Sequence, residues 1–257
     1  MEKEQGAYLS SVKNTLKILR SFKMEKPQRG VRELAEELGM GKSSVQRILT
    51  TLSSEGFVNK NEETNKYELG ISVLELSSIV LGQIELHNEA LPIIKQLADK
   101  CNETAHLAVL DNDQIVYLSK VESRSSIKLP SHSGLHNYVH CTSSGKLLLA
   151  FGEPEKVEVI IEKGLPKFTP NTITEPSAFR NELINIKKRR YSVSNGEFTV
   201  GVTSVSAPVR DHTGKVIAAI NLVGPSSRIN KPRIRYFAEE LLLAGELISG
   251  KLGYWKR

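Results

Sequence analysis

The sequence predicts an α+β protein with an N-terminal winged helix-turn-helix, a linker helix, and a C-terminal domain whose antiparallel sheet is flanked by helices. Three observations carry this. Residues 8–54 hold three helical patterns in quick succession, the last two joined by Gly39-Met40-Gly41. Residues 71–84 are apolar at helical spacing. From residue 104 onward, β-rich runs arrive in hairpin pairs with helical stretches set apart. The expected division is 1–70, 71–85 and 86–257, and a chain of 257 residues accommodates it.

In the first pattern, YLSSVKNTLKILRSF, Leu9, Val12, Leu16 and Leu19 recur at helical spacing, widened by Ile18 and Phe22. Pro27 and Gly30 punctuate its end. The second pattern, VRELAEELG, shares a face through Val31, Leu34, Ala35 and Leu38, with Gly39 as a C-cap. The third, KSSVQRILTTLSSEG, turns Val45, Ile48, Leu49 and Leu52 inward. FVNKNEETNKYELG then reads as a β-hairpin, the wing.

With Val45 at the centre of the buried stripe and about 100° per residue, Ser43, Arg47, Thr50 and Ser54 face outward, with Gln46 on the flank. Guanidinium, amide and hydroxyl groups with no acid among them suit a major groove. Lys60 and Lys66 on the hairpin are placed for backbone phosphate. Arg32, Lys42 and Ser44 complete the candidate DNA-binding set. A solvated polar face on a small three-helix core is the bland alternative.

Composition does not decide between them. The net charge is +6, but residues 1–70 carry 12 Lys/Arg against 10 Asp/Glu, so no basic half stands out. Hydrophobic residues at 39% and charged residues at 25% suit a globular protein. Two cysteines without a CxxC argue for a reducing, cytoplasmic setting over a disulfide framework. MEKEQGAYLSS lacks a signal-peptide apolar core, and no apolar run of about 18 residues is present to span a membrane.

The linker carries Ile71, Leu74, Leu76, Ile79, Val80 and Ile84. Either a twin helix in a dimer or the chain's own C-terminal domain would cover them. A further helix is expected from near Asn88, with Pro92 in its first turn. TAHLAVLD and QIVYLSKVE follow as strands joined at Asn112-Asp113, with SIKLP a third. SSGKLLLAFG, EPEKVEVIIEKG and EPSAFRNELINIKKRR read as helices. YSVSN, TSVSAPVRD and KVIAAINLVG read as strands, and KPRIRYFAEELLLAGELISGKLG as a closing helix.

The words SVKNTLKILRSF, RELAEELGMGKSSVQRILTTLSSEGFV, YELG, HLAVLD, VYLSKVES, HCTSSGKLLLA, TPNTIT, GVTSVSAPV, AAINLVGP and ISGKLGY occur in one order along the chain. In this the sequence resembles the IclR (isocitrate-lyase-regulator) family of transcription regulators over nearly its whole length. The resemblance implies a C-terminal effector domain similar to GAF and PAS sensors. It also implies homodimers, often paired into homotetramers, that control nearby metabolic genes, and it favours a repressor. By the same resemblance the effector pocket falls on Leu129, Thr142, Ser143, Ser144, Ser194, Asn195, Val202, Ser204, Asn221 and Val223. Many members carry an acid at the position of Ser194, a cysteine at Ser204, and serines at Asn221 and Val223, so this pocket has its own polarity. The set contains no acid, which points to a small organic-acid effector with its carboxylate on the helix start at Ser143 and Ser144.

Other residues invite chemical readings. His132, His136 and His140 recur every fourth residue, a metal-ligand spacing, but around Gly134 and without a carboxylate. No metal or cofactor is expected. Cys141 at a helix start could act as a thiolate nucleophile. That is the rival reading, a GAF-like thiol enzyme with an accessory winged helix, and it lacks a general base. Ser143-Ser144-Gly145-Lys146 is similar to a phosphate-loop fragment but has no upstream glycine. The protein is therefore read as a regulator and not an enzyme, with double-stranded operator DNA and a small molecule as partners.

Overall fold

The computed structural model describes residues 9–83, 85–123, 134 and 136–254, the side chains of residues 80–83 excepted. The chain divides into two compact units, Met1–Gln83 and Ile84–Arg257.

The first unit contains α1 (Ser10–Arg20), α2 (Val31–Leu38), α3 (Lys42–Ser54), β1 (Val58–Asn61), β2 (Lys66–Leu69) and α4 (Ile71–Gln83). Ile18, Leu34, Val45, Leu49 and Val58 are fully buried and form one core with Ala35, Leu52 and Tyr67. The turn between α2 and α3 needs Gly39 at φ +63°, where side chains are strained, and Met40 N–H closes it on Ala35 O at 2.9 Å. At the foot of the wing, a Cβ on Gly70 would lie 2.0 Å from Gly56 O, so only glycine fits.

The apolar stripe of α1 differs from expectation. Only Ile18 is buried, with Leu19 and Phe22 packed beside it, while Leu9, Val12 and Leu16 are 73%, 52% and 49% exposed. Only the C-terminal turn of α1 contributes to the core that α2 and α3 build. Ile71, Leu74, Leu76 and Ile79 on α4 are likewise exposed.

The second unit opens with α5 (Glu85–Cys101), which begins earlier than expected and holds Pro92 in its interior, not its first turn. Proline there leaves the carbonyl four residues back without its helical donor. Burial of Leu86, Ala90, Ile93, Ile94 and Leu97 holds the helix together across that gap. Then follow β3 (Thr104–Asp111), β4 (Gln114–Val121), β5 (His136–Tyr138), α6 (Ser143–Phe151), α7 (Pro154–Glu162) and α8 (Pro176–Arg189). The unit ends with β6 (Ser192–Asn195), β7 (Val202–Arg210), β8 (Val216–Pro225) and α9 (Lys231–Lys251).

The strands form one antiparallel sheet in the order β5-β4-β3-β8-β7-β6. The β3–β4 turn falls at Asn112, which takes φ +52°, and Asp111 pairs Gln114. Strand alternation splits the sheet into two faces. Leu107, Val205, Ala207, Val209, Ile220 and Leu222 pack with α5 and α9. On the other side, Ala108, Ile115 and Ala219 pack with α6, α7 and α8 around Leu147, Phe179 and Ile186. The short strand β5 escapes sequence reasoning because His136-Asn137-Tyr138 has no apolar alternation. The expected SIKLP strand, together with Leu129 and His132, lies outside the described residues. No described helix is long and apolar enough to cross a membrane.

Candidate functional site

Two surfaces gather the candidate residues. In the first unit, Arg32, Lys42, Ser43, Ser44, Gln46, Arg47, Thr50, Lys60 and Lys66 are all exposed. The thirteen residues of α3 include no acid, and its N-terminus begins at Lys42. The positive end of the helix dipole and that lysine present one sign of charge. Gln46 Nε2 donates to the Tyr67 hydroxyl at 3.0 Å and to Thr50 Oγ1 at 3.3 Å, tying α3 to the wing. Lys60 is paired with Glu62 at 3.1 Å. The Ser54 hydroxyl donates to Thr51 O at 2.8 Å. Arg47 makes no ion pair among the described residues.

Sequence reasoning missed Arg29. Its guanidinium is buried, donates to Ser21 O at 2.6 Å, and pairs with Glu33 at 2.9 Å and with Glu37. Its backbone exchanges two 2.8 Å hydrogen bonds with Tyr67. Arg29 thus adds a third segment to the wing and fastens it to α2. Nothing in the one-dimensional pattern distinguishes it from an exposed arginine.

In the second unit, polar side chains interrupt the sheet face beneath α6. Cross-strand register lines them up: Ser194 opposes Ser204, Ser204 opposes Val223, Ser206 opposes Asn221, and Asn221 opposes His106. A cavity of about 90 Å³ opens on this face. Of the expected residues, Thr142, Ser194, Val202, Ser204, Asn221 and Val223 line it. Cys141 lines it as well, and so do His106, Tyr117, Asn137, Phe198 and Thr199, which sequence reasoning did not place there. The signal available for His106 and Asn221 was a polar residue inside an otherwise apolar strand.

Ser143, Ser144 and Asn195 do not line the cavity. The Ser143 and Ser144 hydroxyls lie 2.6 and 3.2 Å from Ser206 Oγ, because the first turn of α6 points them at the sheet. Asn195 is exposed, as strand alternation from Ser194 requires, and accepts from Thr203 Oγ1 at 3.0 Å. Thr142 caps α6: its Oγ1 donates to Tyr138 O at 2.7 Å and accepts from Gly145 N–H at 3.2 Å. Ser194 Oγ donates to Cys141 O at 2.9 Å.

The cavity wall carries no formal charge. Burial pushes the Tyr117 hydroxyl up to about 12 and the Cys141 thiol up to about 12. Cys141 is therefore a buried thiol, the opposite of the activated thiolate that a nucleophile needs. Burial also drives His106 down to about 4, against a smaller opposing effect of its hydrogen bond to Asn221 at 3.1 Å. The ring stacks on Tyr117 with centroids 4.5 Å apart. His140 is held below its usual range by burial, and its Nε2 lies 2.9 Å from Pro166 O. His136 lies 3.5 Å from Asp111, so the described members of the histidine series engage different partners. No group of three potential metal ligands occurs among the described residues.

The depressed His106 pKa predicts an acid limit to stability. The unfolded histidine takes a proton near pH 6.5, whereas the folded one resists until about 4. Stability is complete above the unfolded value and falls as pH drops through that window, by on the order of 3 kcal/mol. Urea titrations at pH 7 and pH 4.5 are expected to show this loss in the wild type and a smaller one in His106→Gln. Equal losses in both would remove His106 as the cause.

Comparison with known proteins bears on both surfaces. Residues 11–62 match the model of the IclR helix-turn-helix domain, and residues 78–250 match that of the bacterial transcriptional regulator IclR C-terminal domain. The HTH-type transcriptional regulator XynR of Escherichia coli is 31% identical, over 96% of this chain and 98% of that protein. The regulator KdgR of the same organism is 32% identical, over 98% of this chain and 95% of KdgR. An IclR homolog of Microbacterium hydrocarbonoxydans, solved in complex with 4-hydroxybenzoate, superposes with a TM-score of 0.84. It is 25% identical, and the match covers 95% of this chain and 99% of its own length.

Proposed function

Because the chain belongs to the IclR family of transcriptional regulators, we propose that it is a cytoplasmic, homodimeric repressor of nearby metabolic genes, released or recruited by a small organic acid in the cavity beneath α6. The observation that carries the effector reading is the uncharged wall of Ser194, Ser204, Asn221 and His106. Such a wall offers hydrogen bonds to a carboxylate or hydroxyl and no anion to hold a cation. Phe198, Val202 and Val223 add apolar surface for a carbon body. With the Ser143 and Ser144 hydroxyls engaged by Ser206, the carboxylate contacts fall to the cavity-lining groups. The Microbacterium hydrocarbonoxydans homolog, whose ligand is a small organic acid, supports this class. The protonated Cys141 supports a regulator over a thiol enzyme.

The DNA contacts proposed are Arg32, Lys42, Ser43, Ser44, Gln46, Arg47, Thr50, Lys60 and Lys66. The exposed apolar residues of α4 support a twin helix as their cover, hence a symmetric dimer and a two-fold operator. Light scattering at micromolar concentration is expected to give a dimer or a dimer of dimers. A monomer with full DNA binding would contradict it.

Thermal shift with a panel of organic acids tests the effector. At a concentration 100 times its Kd, a true ligand adds about 2.7 kcal/mol of stability. To regulate, it must also bind the DNA-competent and incompetent states unequally. Thr199 is exposed at the cavity wall, so Thr199→Glu places an anion there without burying it. This variant is expected to lose the response to the acid and keep ligand-free DNA binding. An undiminished response would show that no carboxylate binds in this cavity.

A further inference from the structure

The cavity has two walls from distant parts of the chain, and one buried ion pair joins them. One wall is the start of α6, where Cys141 and Thr142 line the space. The other is the segment from Gly196 to Gly201, which carries Phe198 and Thr199 to the cavity. Both glycines take left-handed backbone, with φ +66° and +77°, so the segment is a strap bounded by two permissive joints. Lys146 lies one turn into α6 and is 1% exposed. Its ammonium donates to Glu197 Oε1 at 2.5 Å and to Val193 O at 2.8 Å. Glu182 stands farther off, at 3.8 Å.

The strap is tied down at its two ends and exposed in its middle. Its first two residues are fixed at the backbone: Thr169 Oγ1 donates to Gly196 O at 2.6 Å, and Thr172 Oγ1 to Glu197 O at 2.6 Å. Beyond them, Phe198, Thr199 and Val200 are exposed, and the Phe198 ring leans on Phe168 with centroids 5.0 Å apart. At the far end Gly201 O accepts from Ser226 N–H at 2.8 Å and Thr199 O from Val202 N–H at 3.2 Å, so the strap is tied at both ends with Phe198, Thr199 and Val200 exposed between them. A buried charge pair is a strong restraint while intact and a costly defect when one partner is lost. Glu197 Oε2 is buried without a hydrogen-bond partner among the described residues, so the carboxylate depends on Lys146 alone for its ionic contact at Oε1.

We propose that Lys146 and Glu197 are the latch of the effector site: touching no ligand, they hold the strap against α6 and so set how readily the cavity opens. This rests on the reading of the cavity as the effector site. The two cysteines make the latch measurable. Cys141 lines the cavity and is fully buried, so reagent reaches it only when the cavity opens. Cys101 is buried in the core between the sheet and helices α5 and α9, so it reports global opening.

The experiment is a pulse of N-ethylmaleimide on the full chain, with labelling of each cysteine quantified by peptide mass spectrometry. In Lys146→Met and in the isosteric Glu197→Gln, Cys141 labelling is expected to accelerate about tenfold or more while Cys101 keeps its wild-type rate, the mark of local opening. Glu197→Gln preserves side-chain shape and decides the matter if Lys146→Met does not fold. Equal acceleration at both cysteines would reduce the pair to general stability and overturn the latch. Unchanged labelling at both would overturn it also. Benzoate and pyruvate, added to the wild type as organic-acid probes, are expected to protect Cys141 if they bind. If the variants accelerate Cys141 alone and no acid in a wider panel protects it, the latch stands and the effector reading falls.

Discussion

Arg47→Ala is expected to cost about 1–3 kcal/mol of specific operator affinity, a loss of roughly 5–150-fold. The guanidinium is exposed on α3, on a helix without an acid, and makes no ion pair among the described residues. It is therefore available to a guanine edge at no cost in broken contacts. Lys66→Ala is expected to behave differently: a phosphate contact weakens all sequences alike and lowers the salt slope by about one. Lys60 is already paired with Glu62, so its removal is expected to matter less. Binding isotherms for cognate and scrambled duplexes at two salt concentrations separate the three. Arg47→Ala with unchanged discrimination between the duplexes would remove α3 as the reading helix.

Gly145→Ala is expected to destabilise the second unit by about 3 kcal/mol or more. A Cβ there would lie 2.3 Å from both Val139 Cα and Val139 O, and backbone atoms cannot swing aside as a side-chain tip can. The first turn of α6 would have to move, taking with it the Thr142 cap and Cys141 at the cavity wall. Urea denaturation measures the loss, and cavity ligands are expected to bind more weakly in the same variant. Gly250→Ala is the control, since its Cβ would meet nothing within 4 Å and it sits within helix α9. It is expected to be neutral or to stabilise by about 0.5–1 kcal/mol. Equal effects of the two substitutions would show that close approach at Val139 is not what fixes Gly145.

The architecture was legible where period and punctuation agree. Gly39 at a left-handed cap and the 3.6-residue period of Val45, Leu49 and Leu52 identify the helix-turn-helix without tertiary knowledge. The β3–β4 hairpin is announced by Asn112-Asp113 between two β-rich runs. Burial along α1 was not legible, because Leu9, Val12 and Leu16 carry the same helical signature whether or not a partner covers them. Nor was the interior position of Pro92, where packing of Leu86 and Ala90 outweighs the local penalty of proline.

Site membership was harder still, because it depends on side-chain direction and on pairs far apart in sequence. Ser143 and Ser144 sit at a helix start, yet their hydroxyls meet Ser206 instead of the cavity. His106 and Asn221 become one hydrogen-bonded pair only when β3 and β8 are neighbours. The fragment Ser143-Ser144-Gly145-Lys146 looks like part of a phosphate loop, but its lysine is buried against Glu197, in the strap between β6 and β7. Its glycine serves packing against Val139.

A small organic acid is expected to change the affinity of this chain for its own operator. The direct measurement is fluorescence anisotropy of a labelled duplex from the chain's own upstream region. The full-length protein is titrated at fixed salt, with and without an acid identified by thermal shift. Binding is expected to be at least about 10³-fold tighter than to a scrambled duplex, with a shift of about 5–150-fold when the acid is present. Equal affinity for both duplexes, or an acid that stabilises the protein yet leaves the operator isotherm unmoved, would contradict it.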